Sequence, residues 1–468
     1  MVSIHFDLIS LLIILLFYLL GIFSAFHAVF QSRTPQGTMA WILALICIPF
    51  FSVPAFFFFG KRKLEDYDFF DEELTLLKKQ VKLEASFVEA KTKSHALKRI
   101  DTILEGKSLT GNSLGLLSDG EETFQAMLKA IEDASEYIFL QMYIFRTDRI
   151  GILFAQALKE KAQSGVKVYV LYERLGIRMS KKVLKSMEQS GVFLGEFTPI
   201  RLNKFQMNFR NHRKLLIIDG EKGFFGGINI GDDYLGRYPS IGFWRDSNVL
   251  VSGPVVHLAQ IDFIKDWKFS QDTNIDLMIG DMKVQGSSNV LLVNTNPSED
   301  RPKNLLVHLE IINCAKKRLW IANPYIVPPQ GLIDALYLSF LKGVDVRIVI
   351  PLKSDNQFVS LAMSVYIQKL VEAGIRVYRY SLGMMHQKLI LVDDELAVIG
   401  SSNLDYRSMH INFENTIITD DLNFIQNLNS SFIKDFHSSH EIEKSEFKLL
   451  PFSRKFASRL ANSFAPIL

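Results

Sequence analysis

The chain has 468 residues, of which 48% are hydrophobic and 22% are charged. This length allows two or three domains, and a mean hydropathy of +0.13 is high for a wholly soluble enzyme, so we expect part of the chain to lie in a membrane. The formal net charge of +3 is too small to indicate a nucleic-acid binder and suits contact with an anionic surface.

Two apolar stretches predict a transmembrane hairpin over residues 1–60. Residues 8–30 contain no acid or base other than His27, and residues 39–59 contain no charged side chain. Each stretch is long enough to cross a hydrocarbon core of about 30 Å as a helix. The short link over residues 31–38 makes the two stretches a hairpin.

The hairpin has one weak point and one competing interpretation. Pro49 and Pro54 should kink or break the second helix, so a tilted or partly re-entrant path is an alternative. A cleaved signal peptide is less favoured, because no Lys or Arg precedes Leu8 and the apolar run is too long. Residues 61–63 (Lys-Arg-Lys) follow the second span and the loop carries only Arg33, which places the rest of the chain in the cytoplasm.

Residues 61–106 are charged and largely helical in pattern, which indicates a linker that acts mainly as a spacer between the membrane and the catalytic unit. The two cysteines, Cys47 and Cys314, provide neither a disulfide framework nor a metal cluster. The catalytic unit is therefore expected to face a reducing compartment.

A first α/β domain is predicted over residues 107–275, and it contains a polar motif that opens a buried strand. His212 and Lys214 begin the motif, Asp219 follows five residues after the lysine, and a glycine pair precedes Asn229. Residues two apart on a strand share a face, so the imidazole and the ammonium should point the same way. The glycine pair should let a backbone approach a ligand closely.

The same motif returns in a second α/β domain, predicted over residues 276–447. His386, Lys388, Asp393 and Asn403 repeat the spacing H-x-K-x4-D-x6-G-[GS]-x-N, 386 − 212 = 174 positions later. A single H-x-K would be read as an ordinary surface or core histidine, but two complete copies make coincidence a poor explanation.

The repeat extends beyond the motifs. In both halves a helix end leads into an apolar strand that finishes near a tyrosine, and Gly165 and Gly343 each separate a helix from a buried strand. We therefore predict duplicated α/β/α sandwich domains with pseudo-twofold symmetry, preceded by the hairpin. Such pairing would bring the two histidines together between the halves.

Two imidazoles, two lysines and two asparagines suit the cleavage of a phosphodiester. A neutral histidine can attack phosphorus while a protonated one opposite gives its proton to the leaving alkoxide. Lys214, Lys388, Asn229 and Asn403 would hold the phosphoryl oxygens, a task that Mg²⁺ performs elsewhere, so neither a metal nor a cofactor is required.

A histidine in acid–base work also needs its second ring nitrogen held by a carboxylate or carbonyl. Asp246 and Glu414, downstream of the two motifs, are the candidates, although spacing alone equally allows surface acids. Asp219 and Asp393 complete the catalytic motif, yet they stand at the far ends of their strands, where they would cap a turn or brace the two halves.

Residues 448–468 form a basic amphipathic tail. Phe452, Phe456, Leu460 and Phe464 recur every fourth residue among basic side chains. Such a helix could lie on an anionic bilayer, although packing of the stripe against the second domain is slightly favoured.

The paired motifs resemble the phospholipase D superfamily, and the wider pattern resembles its membrane-anchored bacterial cardiolipin synthases. The similarity covers nearly the whole chain, and the stretches that show it include residues 33–35, Ala40-Trp41, Asn211 to Lys214, Gly226 to Gly231, Trp244 to Asp246, Gly253-Pro254, Gly400 to Ser408, and Asn412 to Glu414. Some positions differ from the family pattern: Phe209, Glu173, Ser247-Asn248 and Asp355-Asn356. These departures leave headgroup and acceptor recognition open.

The resemblance implies a phosphatidyl transfer in two steps. One phosphatidylglycerol would give its phosphatidyl group to His212 and release glycerol, and a second would accept it and form cardiolipin. His386 would act first as acid and then as base, although the pseudo-symmetry allows the opposite order.

The implied partners are phosphatidylglycerol and the bilayer of the inner (cytoplasmic) membrane, with no nucleic acid and the oligomeric state left open. A phospholipase D hydrolase is the main alternative, because only the acceptor differs. Less favoured alternatives are a phosphatidylserine synthase, a nuclease and a non-catalytic scaffold.

Overall fold

The structure is a computed structural model, and parts of the linker and several loops lie outside what it describes. The described residues are 8–31, 35–60, 64, 67, 74, 88–91, 93–104, 108–197, 208–237, 242–271, 273–275 and 282–465. The basic residues 61–63 and most of the predicted linker fall outside these ranges, so the predictions about them stay predictions.

Three apolar helices open the chain: α1 (Leu8–Gln31), α2 (Pro35–Cys47) and α3 (Pro49–Phe59). Within the described residues, α1 is the one helix that is long and apolar enough to cross a membrane, with a mean hydropathy of 2.6 over Ile9–Phe30. The second predicted span is not one helix but two shorter ones. The predicted two-helix hairpin is therefore corrected to one long helix followed by two short helices.

The break between α2 and α3 lies at the first of the two prolines. Pro49 occupies the first turn of α3, where the missing N–H costs nothing because that position has no helical acceptor. Pro54 lies inside α3 without ending it. The break predicted at the prolines is confirmed at Pro49 alone.

The three helices pack against one another through a close contact at Gly21. A Cβ there would lie 2.5 Å from the carbonyl oxygen of Leu45 in α2, so only glycine permits this approach. Trp41 and Phe56 pack edge to face with ring centroids 5.2 Å apart. The outward side chains are large and apolar, and Leu12 is 55% exposed, which suits contact with lipid.

The rest of the described chain is a mixed α/β unit. Its helices are α4 (His95–Leu104), α5 (Gly120–Asp133), α6 (Arg149–Gln163), α7 (Lys181–Gln189), α8 (Val255–Gln271), α9 (Lys303–Cys314), α10 (Gln330–Leu341), α11 (Gln357–Ala373), α12 (Tyr406–His410), α13 (Leu422–His437), α14 (Lys444–Lys448) and α15 (Phe452–Asn462).

Its strands belong to two similar sets. The first half holds β1 (Leu109–Leu117), β2 (Tyr137–Met142), β3 (Lys167–Glu173), β4 (Phe193–Phe197), β5 (Leu215–Ile218), β6 (Lys222–Gly226), β7 (Phe243–Arg245) and β8 (Asn248–Ser252). The second half holds β9 (Ser288–Thr295), β10 (Arg318–Ala322), β11 (Ile326–Val327), β12 (Asp345–Pro351), β13 (Arg376–Tyr380), β14 (Gly383–Met385), β15 (Leu389–Val392), β16 (Leu396–Gly400), β17 (Leu404–Asp405), β18 (Glu414–Thr419) and β19 (Ser439–Glu441).

Fifteen of these strands form one sheet, in the order β4-β3-β2-β5-β6-β8-β1-β9-β18-β16-β15-β10-β12-β13-β19. Outward from the β1–β9 seam the two halves repeat the same arrangement, which confirms the predicted duplication. The two halves share this sheet because β1 and β9 pair antiparallel, with Leu109 opposite Val290. This pairing satisfies two strand edges that would otherwise be open.

Helices cover both faces of the sheet, as the predicted sandwich requires. One core lies between the sheet and α8 and α13, and it runs across both halves. Two further cores, one in each half, fill the opposite face beneath α5 to α7 and beneath α4 and α9 to α11. Alternate residues of β2 divide between these faces, with Phe139 in the shared core and Leu140 in the other.

The linker contributes to the shared core. The Tyr67 side chain is buried, and its hydroxyl donates a hydrogen bond of 2.6 Å to Asp266, which also pairs with Arg213 at 2.7 Å. The tyrosine ring packs edge to face on Phe413. At this position the expected role of a mere spacer is therefore wrong, because Tyr67 ties the linker to the core beside the first motif.

The C-terminal helix α15 forms as predicted but presents its aromatic stripe outward. Its small residues Ser458 and Ala461 pack inward, and Ser364 of α11 donates a hydrogen bond of 2.8 Å to Ser458. Phe452 is 82% exposed and Phe456 is 59% exposed. The favoured packing of this stripe against the second domain is therefore wrong for these two residues, whereas the Phe464 ring lies 5.8 Å from that of Phe358.

Candidate active site

Each motif histidine lies on the loop before its strand and is bound to the opposite half of the chain. The His212 N–H donates to the carbonyl oxygen of Phe413 at 2.9 Å, and the His386 N–H donates to the carbonyl oxygen of Arg245 at 2.7 Å. Both bonds cross the pseudo-twofold axis. The two histidines therefore belong to one site between the halves, as the duplication predicts.

The two carboxylates singled out from the sequence contact the histidines crosswise. His212 of the first half places its Nδ1 3.0 Å from both carboxylate oxygens of Glu414 in the second. His386 of the second half places its Nδ1 2.6 Å from Asp246 in the first. In a neutral ring the proton then sits on Nδ1, which leaves a lone pair on Nε2.

The two lysines are buried beside the histidines. Lys214 donates to the carbonyl oxygen of His212 at 2.6 Å, and Lys388 donates to that of His386 at 2.5 Å. Burial lowers the pKa of Lys214 to about 7 and that of Lys388 to about 8. A bound anion would raise the pKa of both lysines again, because it stabilises their positive charge in place of the water that burial excludes.

The electrostatics also show that the two motifs share one small volume. Burial is the main cause that lowers the pKa of His212 to about 4, and Lys388 from the other half lowers it further. Burial, followed by Lys388, lowers the pKa of His386 as well. Both rings are therefore neutral near pH 7 when no anion is bound.

Glu414 stays ionised although it is buried. Burial acts to raise its pKa, but His212, Lys214 and Ser401 together bring it below its ordinary value. The Ser401 hydroxyl donates to one carboxylate oxygen, and the Asn412 amide donates to the other at 3.2 Å. Ser401 occupies the variable [GS] position of the motif, where spacing alone did not reveal its role.

Gly227 occupies the same motif position in the first half. A Cβ on Gly227 would overlap the carboxylate of Asp246, with one oxygen only 2.7 Å away. The expected close approach of a ligand to this glycine is thus corrected: the neighbour is the acid that holds His386. The same motif position thus leaves room for the Asp246 carboxylate in one half and donates a hydrogen bond to Glu414 in the other.

Replacing Gly227 with alanine should lower turnover at least about tenfold, because the methyl group displaces the carboxylate that orients His386. The measurement is kcat of the purified enzyme beside its melting temperature. Gly115→Ala is the matched control, since its Cβ would meet only a side-chain carbon of Leu250 at 4.0 Å. Equal activity of the two variants would contradict this role.

The motif asparagines are buried and differ in their partners. Asn229 accepts from the Ile144 N–H at 3.0 Å and donates to the Tyr234 hydroxyl at 2.6 Å. The side-chain oxygen of Asn403 is buried and has no hydrogen-bond partner in the described part of the chain. Phosphate binding by Asn229 and Asn403 stays a prediction.

The motif aspartates do not reach the histidines. Asp219 accepts hydrogen bonds from the N–H groups of Ser135, Glu136 and Tyr137 at 2.8 to 2.9 Å. Asp393 accepts equivalent bonds from residues 316–318 at 2.7 to 3.0 Å. Each caps the start of a strand within its own half, so they cap a turn and do not brace the two halves, and a catalytic role for Asp219 and Asp393 stays a prediction.

Asp219→Asn should therefore lower stability and leave the chemistry intact. Asparagine tolerates the φ of +51° at this position, but its amide cannot accept all of these bonds. We expect the free energy of unfolding to fall by about 1–3 kcal/mol. Thermal unfolding and kcat per folded molecule provide the measurement, and a loss of kcat comparable to that of a lysine variant would contradict the capping role.

Two tyrosines complete the site. Tyr143 packs edge to face on His212 with ring centroids 5.0 Å apart, and Tyr325 lies edge to face with His386 at 6.4 Å. Both tyrosines line a cavity of about 610 Å³. They follow the corresponding strands β2 and β10 of the repeat, and this shared position is the sequence signal that marks them.

Comparison with known proteins shows the family to which the chain is related. The family model described as "Cardiolipin synthase, PLD-like domain" matches residues 127–267 and 308–436, and that described as "Phospholipase_D-nuclease N-terminal" matches residues 19–61. Cardiolipin synthase A of Pseudomonas putida is 36% identical over 465 residues, with 97% of each chain covered. Cardiolipin synthase A of Pseudomonas entomophila is also 36% identical, with the same coverage.

The fold also occurs in a solved structure. The phosphatidylserine synthase of Haemophilus influenzae superposes with a TM-score of 0.60 at 15% sequence identity, covering 80% of this chain and 98% of that one. This similarity concerns the fold alone. On the family match and the near full-length identity, the chain belongs to the cardiolipin synthase family of phospholipase D-like enzymes.

Proposed function

We propose that this enzyme makes cardiolipin by transferring the phosphatidyl group of one phosphatidylglycerol to another. In the first step His212 Nε2 attacks phosphorus, and His386 protonates the departing glycerol oxygen. In the second step His386 takes the proton of the acceptor hydroxyl, whose oxygen displaces His212 from phosphorus. Lys214 and Lys388 hold the phosphoryl oxygens in both steps.

The crosswise pairing of the histidines with Glu414 and Asp246 supports this proposal most directly. It holds both rings with Nδ1 toward a carboxylate, so each can present Nε2 to the substrate. An anionic phosphate near Lys388 would offset the charge that lowers the pKa of His386. Substrate binding would then provide the protonated acid that the first step needs.

The test is incubation of the detergent-purified enzyme with phosphatidylglycerol as the sole lipid, followed by mass analysis of products. We expect cardiolipin and glycerol in equal amounts. Phosphatidic acid with no cardiolipin would instead identify a hydrolase. Nucleic acid added as a competitor should not lower the rate, because we propose a lipid substrate.

The pH dependence of kcat/KM should have two limbs. The rate should rise as His212 loses its proton near pH 4, because only the neutral ring attacks phosphorus. It should fall at higher pH, first as His386 loses the proton that the departing glycerol oxygen needs, and further above about pH 7 to 8, where Lys214 and Lys388 lose their charge. A profile that still rises between pH 8 and pH 9 would contradict the role given to the lysines.

We further propose that the N-terminal helices form a multi-pass anchor and that the catalytic unit faces the cytoplasm. The charges of residues 61–63 favour this orientation. The exposed stripe of α15, flanked by Arg454 and Arg459, would lie on the anionic membrane surface. Protease digestion of inside-out and right-side-out vesicles distinguishes the two orientations, because only inside-out vesicles should expose the catalytic unit.

A further inference from the structure

The cavity beside the histidines has room for more than the phosphate that is being cleaved. It is walled by residues of both halves, with Tyr143 on one side and Tyr325 on the other. Its volume of about 610 Å³ lies within the range of about 300–1,000 Å³ typical of small-molecule sites. Its two tyrosines contact the histidines, with ring centroids 5.0 Å apart for Tyr143 and His212 and 6.4 Å apart for Tyr325 and His386, so a second reactant can bind one side chain away from the reacting phosphorus.

The first-half wall of this cavity is positively charged. Arg146 and Arg178 line it, and Arg146 forms an ion pair with Asp233 at 2.9 Å. Arg178 donates to the carbonyl oxygens of Leu175 and Ile177 at 2.8 and 3.0 Å. These carbonyls position the guanidinium without neutralising it, so Arg178 offers its charge to an anion.

The second-half wall carries a carboxylate. Asp355 is exposed to the cavity and accepts a hydrogen bond of 2.5 Å from the Tyr325 hydroxyl. A carboxylate repels a phosphate but accepts hydrogen bonds from alcohols. Because Tyr325 also neighbours His386, a hydroxyl bound to this pair would lie on the His386 side of the site.

We propose that this cavity binds the acceptor of the transfer, a glycerol headgroup on an anionic phospholipid, with its hydroxyls at Asp355 and Tyr325 and its phosphate at Arg178. The assignment rests on the proposed function and adds the acceptor subsite to it. Phosphatidylglycerol has both a pair of hydroxyls and a phosphate, whereas water can occupy the hydroxyl site but has no phosphate for Arg178 to hold. The opposite charges of the two walls therefore favour transfer over hydrolysis and fix the direction in which the acceptor enters.

The orientation of the bound acceptor also determines which role each histidine has in the second step. The acceptor oxygen forms a bond to phosphorus, and the N–P bond to His212 breaks with its electron pair returning to Nε2. The hydroxyl proton passes to Nε2 of His386, which lies on the side of the bound hydroxyl. The two histidines thus differ in role because the cavity is asymmetric, although the motifs are equivalent.

An apolar edge of the cavity provides a path for the acyl chains. Phe358 and Leu175 line it and are 43% and 42% exposed. The Phe358 ring lies 5.8 Å from that of Phe464, at the end of the exposed stripe of α15. An acceptor with its headgroup in the cavity can therefore keep its acyl chains along this apolar surface.

The test uses the full-length, detergent-purified enzyme with phosphatidylglycerol and deuterated glycerol. Mass analysis then follows three products of the same covalent intermediate: cardiolipin, labelled phosphatidylglycerol from glycerol exchange, and phosphatidic acid from water. Asp355→Asn should lower cardiolipin and exchange at least about tenfold relative to phosphatidic acid, because both acceptors use the hydroxyl site.

Arg178→Gln should act differently, because free glycerol has hydroxyls but no phosphate. We expect cardiolipin formation to fall at least about tenfold more than glycerol exchange. Asp394→Asn and Arg376→Gln are the matched controls, since both residues lie outside the cavity and form surface ion pairs. Both controls should keep the wild-type ratio of products.

The acceptor site is overturned if Asp355→Asn and Arg178→Gln keep the wild-type product ratios or lower all three products equally. Retained phosphatidic acid in the variants shows that they fold and still form the intermediate. Failure of the wild-type enzyme to make either cardiolipin or labelled phosphatidylglycerol would instead contradict the proposed function. The two failures are therefore distinguishable in one assay.

Discussion

Replacing His386 with alanine should stop cardiolipin formation while leaving the attack by His212 intact. Without the acid, glycerol is a poor leaving group, and we expect the rate with phosphatidylglycerol to fall at least about 10³-fold. A phosphatidyl ester of p-nitrophenol needs no acid, because nitrophenolate leaves unprotonated. With this ester, His386→Ala should release a stoichiometric burst of nitrophenolate and then stall as the phosphatidyl-enzyme.

His212→Ala should show no burst with the same ester, because it lacks the nucleophile. Acid quench and mass analysis of peptides should find the phosphatidyl group on His212 in the His386 variant. His437→Ala is the control, since its ring bonds only to a carbonyl oxygen of its own helix among the contacts described for it. A burst from His212→Ala and none from His386→Ala would reverse the two roles.

The sequence predicted which histidines and lysines meet between the halves, because the motif repeats at fixed spacing. Two copies of H-x-K-x4-D imply two strands that present the same side chains, and the shared sheet brings these strands into one symmetric unit. The alternation rule placed His212 and Lys214 on one face, and the structure places both beside the cleft. The positions of the two histidines and two lysines therefore followed from local pattern.

What the sequence could not supply are contacts between the halves. Spacing identified Asp246 and Glu414 as acids near strand ends, but only the packing of the two halves shows that each holds the histidine of the other. The role of Gly227 was missed for a different reason: its neighbour Asp246 lies in the same half and is brought close by the strand pairing of β6 and β8. The outward stripe of α15 could not be predicted either, because it depends on the small residues Ser458 and Ala461 packing against the domain.

The crosswise pairing makes a prediction that no contact within a single half would make. Asp246→Asn turns an amide toward Nδ1 of His386, so the ring must carry its proton on Nε2 and cannot act as base. Glu414→Gln does the same to His212. We expect each variant to lose about 10²- to 10⁴-fold in kcat with phosphatidylglycerol.

The nitrophenyl ester separates the two variants. Asp246→Asn, although it lies in the first half, should behave like the second-half His386 variant and give a burst without turnover. Glu414→Gln should behave like His212→Ala and give no burst, while Ser401 and Asn412 still bind its side chain and hold it in place. Unchanged melting temperatures would show that the substitutions leave the fold intact. The reverse pattern of bursts would mean that each acid serves the histidine of its own half, and the crosswise site could then not be the one that reacts.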